Sequence, residues 1–76
     1  MNEERRKKLA EAQNQLNATK AIVEEVQGEE QNIIDNMPEE LQASGKGEKA
    51  QTAIDAMQEA IDAIEGAVEN LDTASE

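Results

Sequence analysis

IDAMQEAIDAIEGAVENLDTA, residues Ile54 to Ala74, divides into sevens: IDAMQEA, IDAIEGA, VENLDTA. Apolar residues recurring at two positions of a seven-residue repeat mark helices that pack along a shared seam. With Ile54, Ile61 and Val68 at position a, the d positions fall to Ala50, Met57, Ile64 and Leu71. Position g adds Ala53, Ala60 and Ala67, and position c adds Ala56 and Ala63. These four positions are neighbours around a helix, so the apolar arc spans roughly 200°, against about 100° for an ordinary surface helix. One half of the arc is bulky and the other half is alanine. A single neighbouring helix shields only one half.

That neighbour lies upstream. Leu9, Leu16 and Val23 stand seven apart, and Ala12, Thr19, Val26 and Ile33 form a companion d row, with Ile22 and Ile34 widening the seam. Glu30 interrupts the a row before Met37 resumes it. Before Leu9 the chain is charged, and the pairs Glu3–Lys7 and Glu4–Lys8 have the favourable spacing and order for a solvated helical extension. Pro38 disfavours helical geometry at Met37 and cannot donate to a helical ladder, so the first helix should end near residue 36. Pro38 to Ser44 has the chemistry of one further turn, and the Gly45–Lys46–Gly47 triplet resets direction. Connectors this short join antiparallel neighbours. The expectation is one all-α domain over residues 1–76: a first helix over about 3–36, a connector over about 37–47 and a second helix over about 48–73. Gly28 and Gly66 fall on outward positions, where each costs about 1 kcal/mol relative to Ala without breaking the helix.

Composition limits what such a hairpin does alone. The 76 residues contain no Cys, His, Phe, Tyr or Trp, which removes disulfides, ordinary zinc sites and an aromatic core. An aliphatic two-helix hairpin of this length leaves much of its apolar surface wet and should be marginal without a partner. Alanine also favours helices on exposed positions, but five alanines at strict c and g spacing point to a contact surface. The expected outcome is a coiled-coil-like hairpin that pairs with a second copy into an antiparallel four-helix bundle. The self-association residues would be Ala53, Ile54, Met57, Ala60, Ile61, Ile64, Ala67, Val68 and Leu71.

The remaining face of the second helix is acidic: Asp55, Glu59, Asp62, Glu65, Glu69 and Asp72, with no Lys or Arg from Ala50 onward. Like charges three and four apart destabilise a helix by about 0.2–0.5 kcal/mol per pair, and acids near its C-terminus oppose the helix dipole. An antiparallel hairpin brings Arg5, Arg6, Lys7 and Lys8 to that end as a diffuse, salt-screened offset. Glu30 should lie at a helix edge and reach toward Lys46 or Lys49. A net charge of −11 argues against direct nucleic-acid or anionic-membrane binding. The acidic stripe reads as a solvated face that aids solubility or as a docking surface for a basic protein, in which its carboxylates would imitate backbone phosphates.

Catalytic chemistry is poorly served. There is no His, Cys or Tyr for acid–base or nucleophilic work, no Glu-x-x-His pair for a metal bundle and no phosphate-cradling glycine loop. Neither an enzyme nor a cofactor or metal site is expected. No apolar run is long enough to span a bilayer and no secretory leader is evident, so a cytoplasmic location is expected.

The connector DNMPEELQASGKGEKAQTAIDAM and the following IDAIEGAVENL resemble small acidic, mostly uncharacterised proteins of phages and prophages. The matching points are Asn36, Met37, Pro38, Leu41, Gln42, Ser44, Gly47 and Glu48, in roughly the C-terminal half, with Gly45 replacing an acidic residue. The resemblance implies a phage or prophage origin in a bacterial host and a helical-hairpin fold, and no activity follows from it. It leaves two functional expectations: a non-catalytic, self-associating interaction module, or an acidic inhibitor imitating nucleic acid against a host defence or DNA-binding protein.

Overall fold

The computed structural model describes residues 1–76 as three helices: α1 (Glu3–Asp35), α2 (Glu39–Gln42) and α3 (Gly45–Ala74). The two long helices pack antiparallel along their length as a hairpin measuring 58 × 14 × 11 Å. No third layer covers either flank.

Local chemistry fixes each helix end. The Asn2 side chain accepts a hydrogen bond from the Arg5 amide at 2.8 Å, satisfying one of the free donors that open α1. At the other end Asn36 donates from its side chain to the Asn32 carbonyl at 2.8 Å, and Pro38 then stops the ladder. Gln42 reaches back from α2 to the carbonyls of Ile34 (2.9 Å) and Met37 (3.0 Å), so acceptors orphaned by the end of α1 are filled from within the turn.

The second long helix starts three residues earlier than the glycines suggest. Ser44 is its N-cap, accepting from the Lys46 amide at 3.3 Å, and Gly45 to Gly47 form the first turn of α3. Gly47 is required there by closeness. A Cβ at residue 47 would lie 2.8 Å from the Gln42 Cα and carbonyl carbon and closer still to the Gln42 oxygen. The absent side chain lets α2 fold tightly onto the start of α3, and Gly47 is buried as a result. The glycine that looks like a helix breaker is a packing residue.

The core is thin. Ala50, Ile54 and Ile61 are the only buried apolar residues, all on α3. Leu9, Leu16, Val23, Ile34 and Met37 from the opposite side are half-buried, as are Met57, Ile64, Val68 and Leu71. No side chain is wholly sealed from solvent.

Candidate functional site: one closed flank and one open flank

The rotation of α1 about its own axis decides which surfaces remain available. Along α1 the less exposed residues run Leu9, Gln13, Leu16, Lys20, Val23, Gln27, Glu30 and Ile34, alternating four and three apart, with Met37 continuing the spacing past the helix end and Ala12 the one half-buried residue of the d row. This is a seam of a and e positions, not the a and d seam expected from apolarity. The cause is a row of long polar side chains. Gln13 donates to the Val68 carbonyl (3.0 Å) and the Asp72 carboxylate (2.8 Å). Gln27 donates to the Ile54 carbonyl (3.3 Å) and the Gln58 side-chain oxygen (3.0 Å). Between them Lys20 stands 3.8 Å from Glu65. One repeat earlier Arg6 donates to the carbonyls of Ser75 (2.9 Å) and Glu76 (3.4 Å) at the negative end of α3.

Arg6, Gln13, Lys20 and Gln27 are all e positions, and their partners Gln58, Glu65 and Asp72 are the e positions of α3. The two e rows therefore close one flank of the hairpin with polar side chains. Antiparallel helices that meet along e on one flank expose the d row of α1 and the g row of α3 together on the other. There Ile22, Ile33 and Val26 are 61%, 54% and 44% exposed. Ala53 and Ala60 are exposed beside them, with Ala56 and Ala63 at the rim, while Ala67 is half-buried. Three β-branched aliphatic residues and the alanines Ala53 and Ala60 are thus left uncovered on this flank. Scattered exposed apolar residues are ordinary; here the large exposed ones within the long helices share one flank.

The nine self-association residues expected from sequence separate into two groups. Ile54 and Ile61 are buried against α1, and Met57, Ile64, Val68 and Leu71 line the same seam, so the hairpin itself uses them. Ala53, Ala60 and part of Ala67 are left for a partner. Ile22, Val26 and Ile33 join them from α1. The sequence signal for this was the e row: four long hydrogen-bonding side chains at seven-residue spacing draw that edge inward and turn the d row out.

The six acidic residues are all exposed, without forming one free stripe. Asp72 and Glu65 are engaged by Gln13 and Lys20 across the closed flank. Asp55 and Asp62 accept from Gln51 and Gln58 one turn earlier on α3, each at 3.0 Å. Glu59 and Glu69 make no side-chain contact to another polar group. Lys20–Glu65 is the one ion pair within 4.0 Å, so Glu30, a half-buried residue, forms no ion pair with Lys46 or Lys49. The basic N-terminal segment meets the end of α3 through Arg6 and backbone carbonyls, with no carboxylate within ion-pair distance.

Nothing on the surface resembles an enclosed chemical site. One shallow depression is lined by Glu24, Gln27, Gly28, Gln31, Ile54 and Gln58, another by Gly45, Glu48, Lys49 and Thr52. No group of three or more acidic side chains converges as metal ligands would, and no helix is long and apolar enough to cross a membrane. Comparison with family models, curated proteins and solved structures returns no match.

Proposed function

We propose that this chain is a non-catalytic interaction module that self-associates through its open flank. The observation that carries the reading is the concentration of Ile22, Val26 and Ile33 beside Ala53 and Ala60 on one flank, while the other is closed by hydrogen bonds. Area supports it. A compact monomer of this mass exposes about 4,600 Å², whereas the hairpin exposes 5552 Å². The excess of roughly 1,000 Å² is comparable to the ~800 Å² that each partner contributes to a standard interface. A second copy also supplies the two missing helices of a four-helix bundle.

Light scattering at tens of micromolar tests this directly. The expected result is twice the 8.3 kDa chain mass. A folded species of one chain's mass would defeat the reading. The phage-type origin and bacterial cytoplasm suggested by the residue 36–48 connector belong to the same proposal.

The second reading, imitation of nucleic acid toward a basic protein, is favoured by one observation. A chain of net charge −11 forms a single ion pair, so most of its carboxylates stay unneutralised. Asp55, Glu59, Asp62 and Glu69 are the residues left for it, since Glu65 and Asp72 are held across the seam. Changing those four to their amides and repeating a capture from bacterial lysate separates the readings. Loss of a nucleic-acid-binding partner favours imitation, and unchanged mass with unchanged capture favours the apolar flank.

A further inference from the structure

We infer that the two copies pair antiparallel, about a two-fold axis that passes beside Thr19 on α1 and between Ala60 and Ala67 on α3; the inference rests on the self-association reading above.

Both open rows are self-complementary when reversed. The d row of α1 reads Arg5, Ala12, Thr19, Val26, Ile33. Turned about Thr19, it sets Val26 of one copy against the small Ala12 of the other and the aliphatic stem of Arg5 over Ile33. The adjoining g row reads Lys8, Gln15, Ile22, Glu29, and the same reversal places each Lys8 against a Glu29. Neither residue has an ion-pair partner within its own hairpin. On α3 the g row reads Lys46, Ala53, Ala60, Ala67, Ala74; its four alanines reverse onto one another about the midpoint of Ala60 and Ala67 and permit close helix approach, with Lys46 left beyond the reversed row near the turn.

One centre is the midpoint of the α1 row and the other the midpoint of the alanine row, and the hairpin register brings them to one height. Gln13 grips α3 on either side of residue 70, between Val68 and Asp72, and Gln27 grips it on either side of residue 56, between Ile54 and Gln58. Residue 20 is therefore level with residue 63, and Thr19 with residue 64. The centre of the α1 row and the centre of the alanine row coincide within about one residue, or ~1.5 Å along the helix. A single rotation then satisfies both rows. The parallel alternative, with both turns at one end, would place α1 over the partner's α3. It would hold each Lys8 about 30 Å along the bundle from Glu29 of the other copy, so both of those pairs would be lost.

Single-cysteine pairing decides the orientation, because the natural chain has no thiol. In the antiparallel dimer α1 lies directly on its counterpart, so Thr19→Cys stands on the axis and closes a disulfide under mild oxidation. Ala12→Cys alone stays open, yet mixed with Val26→Cys it gives the mixed disulfide. In the parallel dimer the α1 helices lie on the diagonal of the bundle, about 12–14 Å apart, beyond disulfide reach. A charge exchange gives a second readout that does not depend on thiols. Lys8→Glu and Glu29→Lys should each weaken the dimer roughly tenfold, since symmetry doubles each pair, and the double variant should recover it. A two-chain mass with no Thr19→Cys disulfide and no recovery in the double variant would overturn the orientation while leaving self-association intact. A one-chain mass for the unaltered protein would overturn both.

Discussion

The two flanks of this hairpin are built from the same pair of helices and are chemically opposite. On the closed flank every seventh residue of α1 is long and polar, and each reaches a carbonyl, amide or carboxylate of α3. On the open flank the corresponding rows are aliphatic or alanine and touch nothing beyond the hairpin. In the proposed dimer this difference would direct association to one side. Hydrogen bonds to a helix's own carbonyls add little stability each, about 0.5–1.5 kcal/mol, but they are directional and define register. Apolar surface supplies more free energy and no direction. Here the polar flank sets which residues the apolar flank presents, and at what height.

The seam common to both flanks should be the most sensitive place to break. Ile61 is the least exposed apolar residue, at 3%, and Ile61→Ala should cost about 2–5 kcal/mol. In so thin a core that loss is expected to abolish cooperative thermal unfolding by circular dichroism. Next comes the open flank itself. Replacing Ile22 and Val26 with Glu should reduce the light-scattering mass to one chain and remove the concentration dependence of Tm, because two-chain folding gains stability by mass action and one-chain folding does not. The same pair changed on the closed flank, Gln13→Glu and Gln27→Glu, should leave the mass at two chains while lowering stability by roughly 1–3 kcal/mol, as two hydrogen-bond donors are lost beside Asp72 and the Ile54 carbonyl. If the Gln pair dissociated the dimer and the Ile22/Val26 pair did not, the assignment of flanks would be reversed.

Much of this architecture was legible in residue spacing. The heptads at Leu9–Val23 and Ile54–Leu71, the stop at Pro38 and the short connector together require an antiparallel hairpin, which is what forms. The alanine row was legible as surplus apolar surface, and Ala53 and Ala60 are indeed exposed. Two details were less accessible. Gly45 and Gly47 read as a break because glycine is a poor helix former, but a capping Ser44 and the close approach of Gln42 place them inside the first turn of α3. The rotation of α1 was hidden because apolarity ranks Val26 and Ile33 as seam residues ahead of Gln13 and Gln27. Hydropathy does not register that a glutamine reaching a backbone carbonyl covers a seam edge as effectively as an aliphatic side chain. Glu30 belongs to the same lesson: its position follows from the helix rotation, and it forms no ion pair with the lysines it was expected to meet.

A finer test asks how much of the closed flank's work is charge. Lys20 and Glu65 form the only ion pair, at 3.8 Å, with Glu65 half exposed to solvent. Such pairs contribute about 0–1 kcal/mol and are screened by salt. Lys20→Met should therefore lower stability by less than ~1 kcal/mol and leave the register unchanged. It should also flatten any loss of stability between low and moderate salt. A larger loss would mean that Lys20, and not the two glutamines, holds the helices in register.

The smallest expected effect has the opposite sign and separates helix propensity from packing. Gly28 is an f position at the rim of the shallow depression beside Gln27 and Gln58, and a Cβ built there would meet no atom within 4 Å. Gly28→Ala should therefore stabilise the hairpin by roughly 0.5–1 kcal/mol through the unfolded chain alone, raising Tm with no change in mass. The same substitution at Gly47 should destabilise, since its new methyl group would run into the backbone of Gln42. Two glycines in helices of one hairpin thus respond oppositely to one added carbon. At residue 28 the outcome is set by chain entropy, and at residue 47 by the contact that turns α2 onto α3.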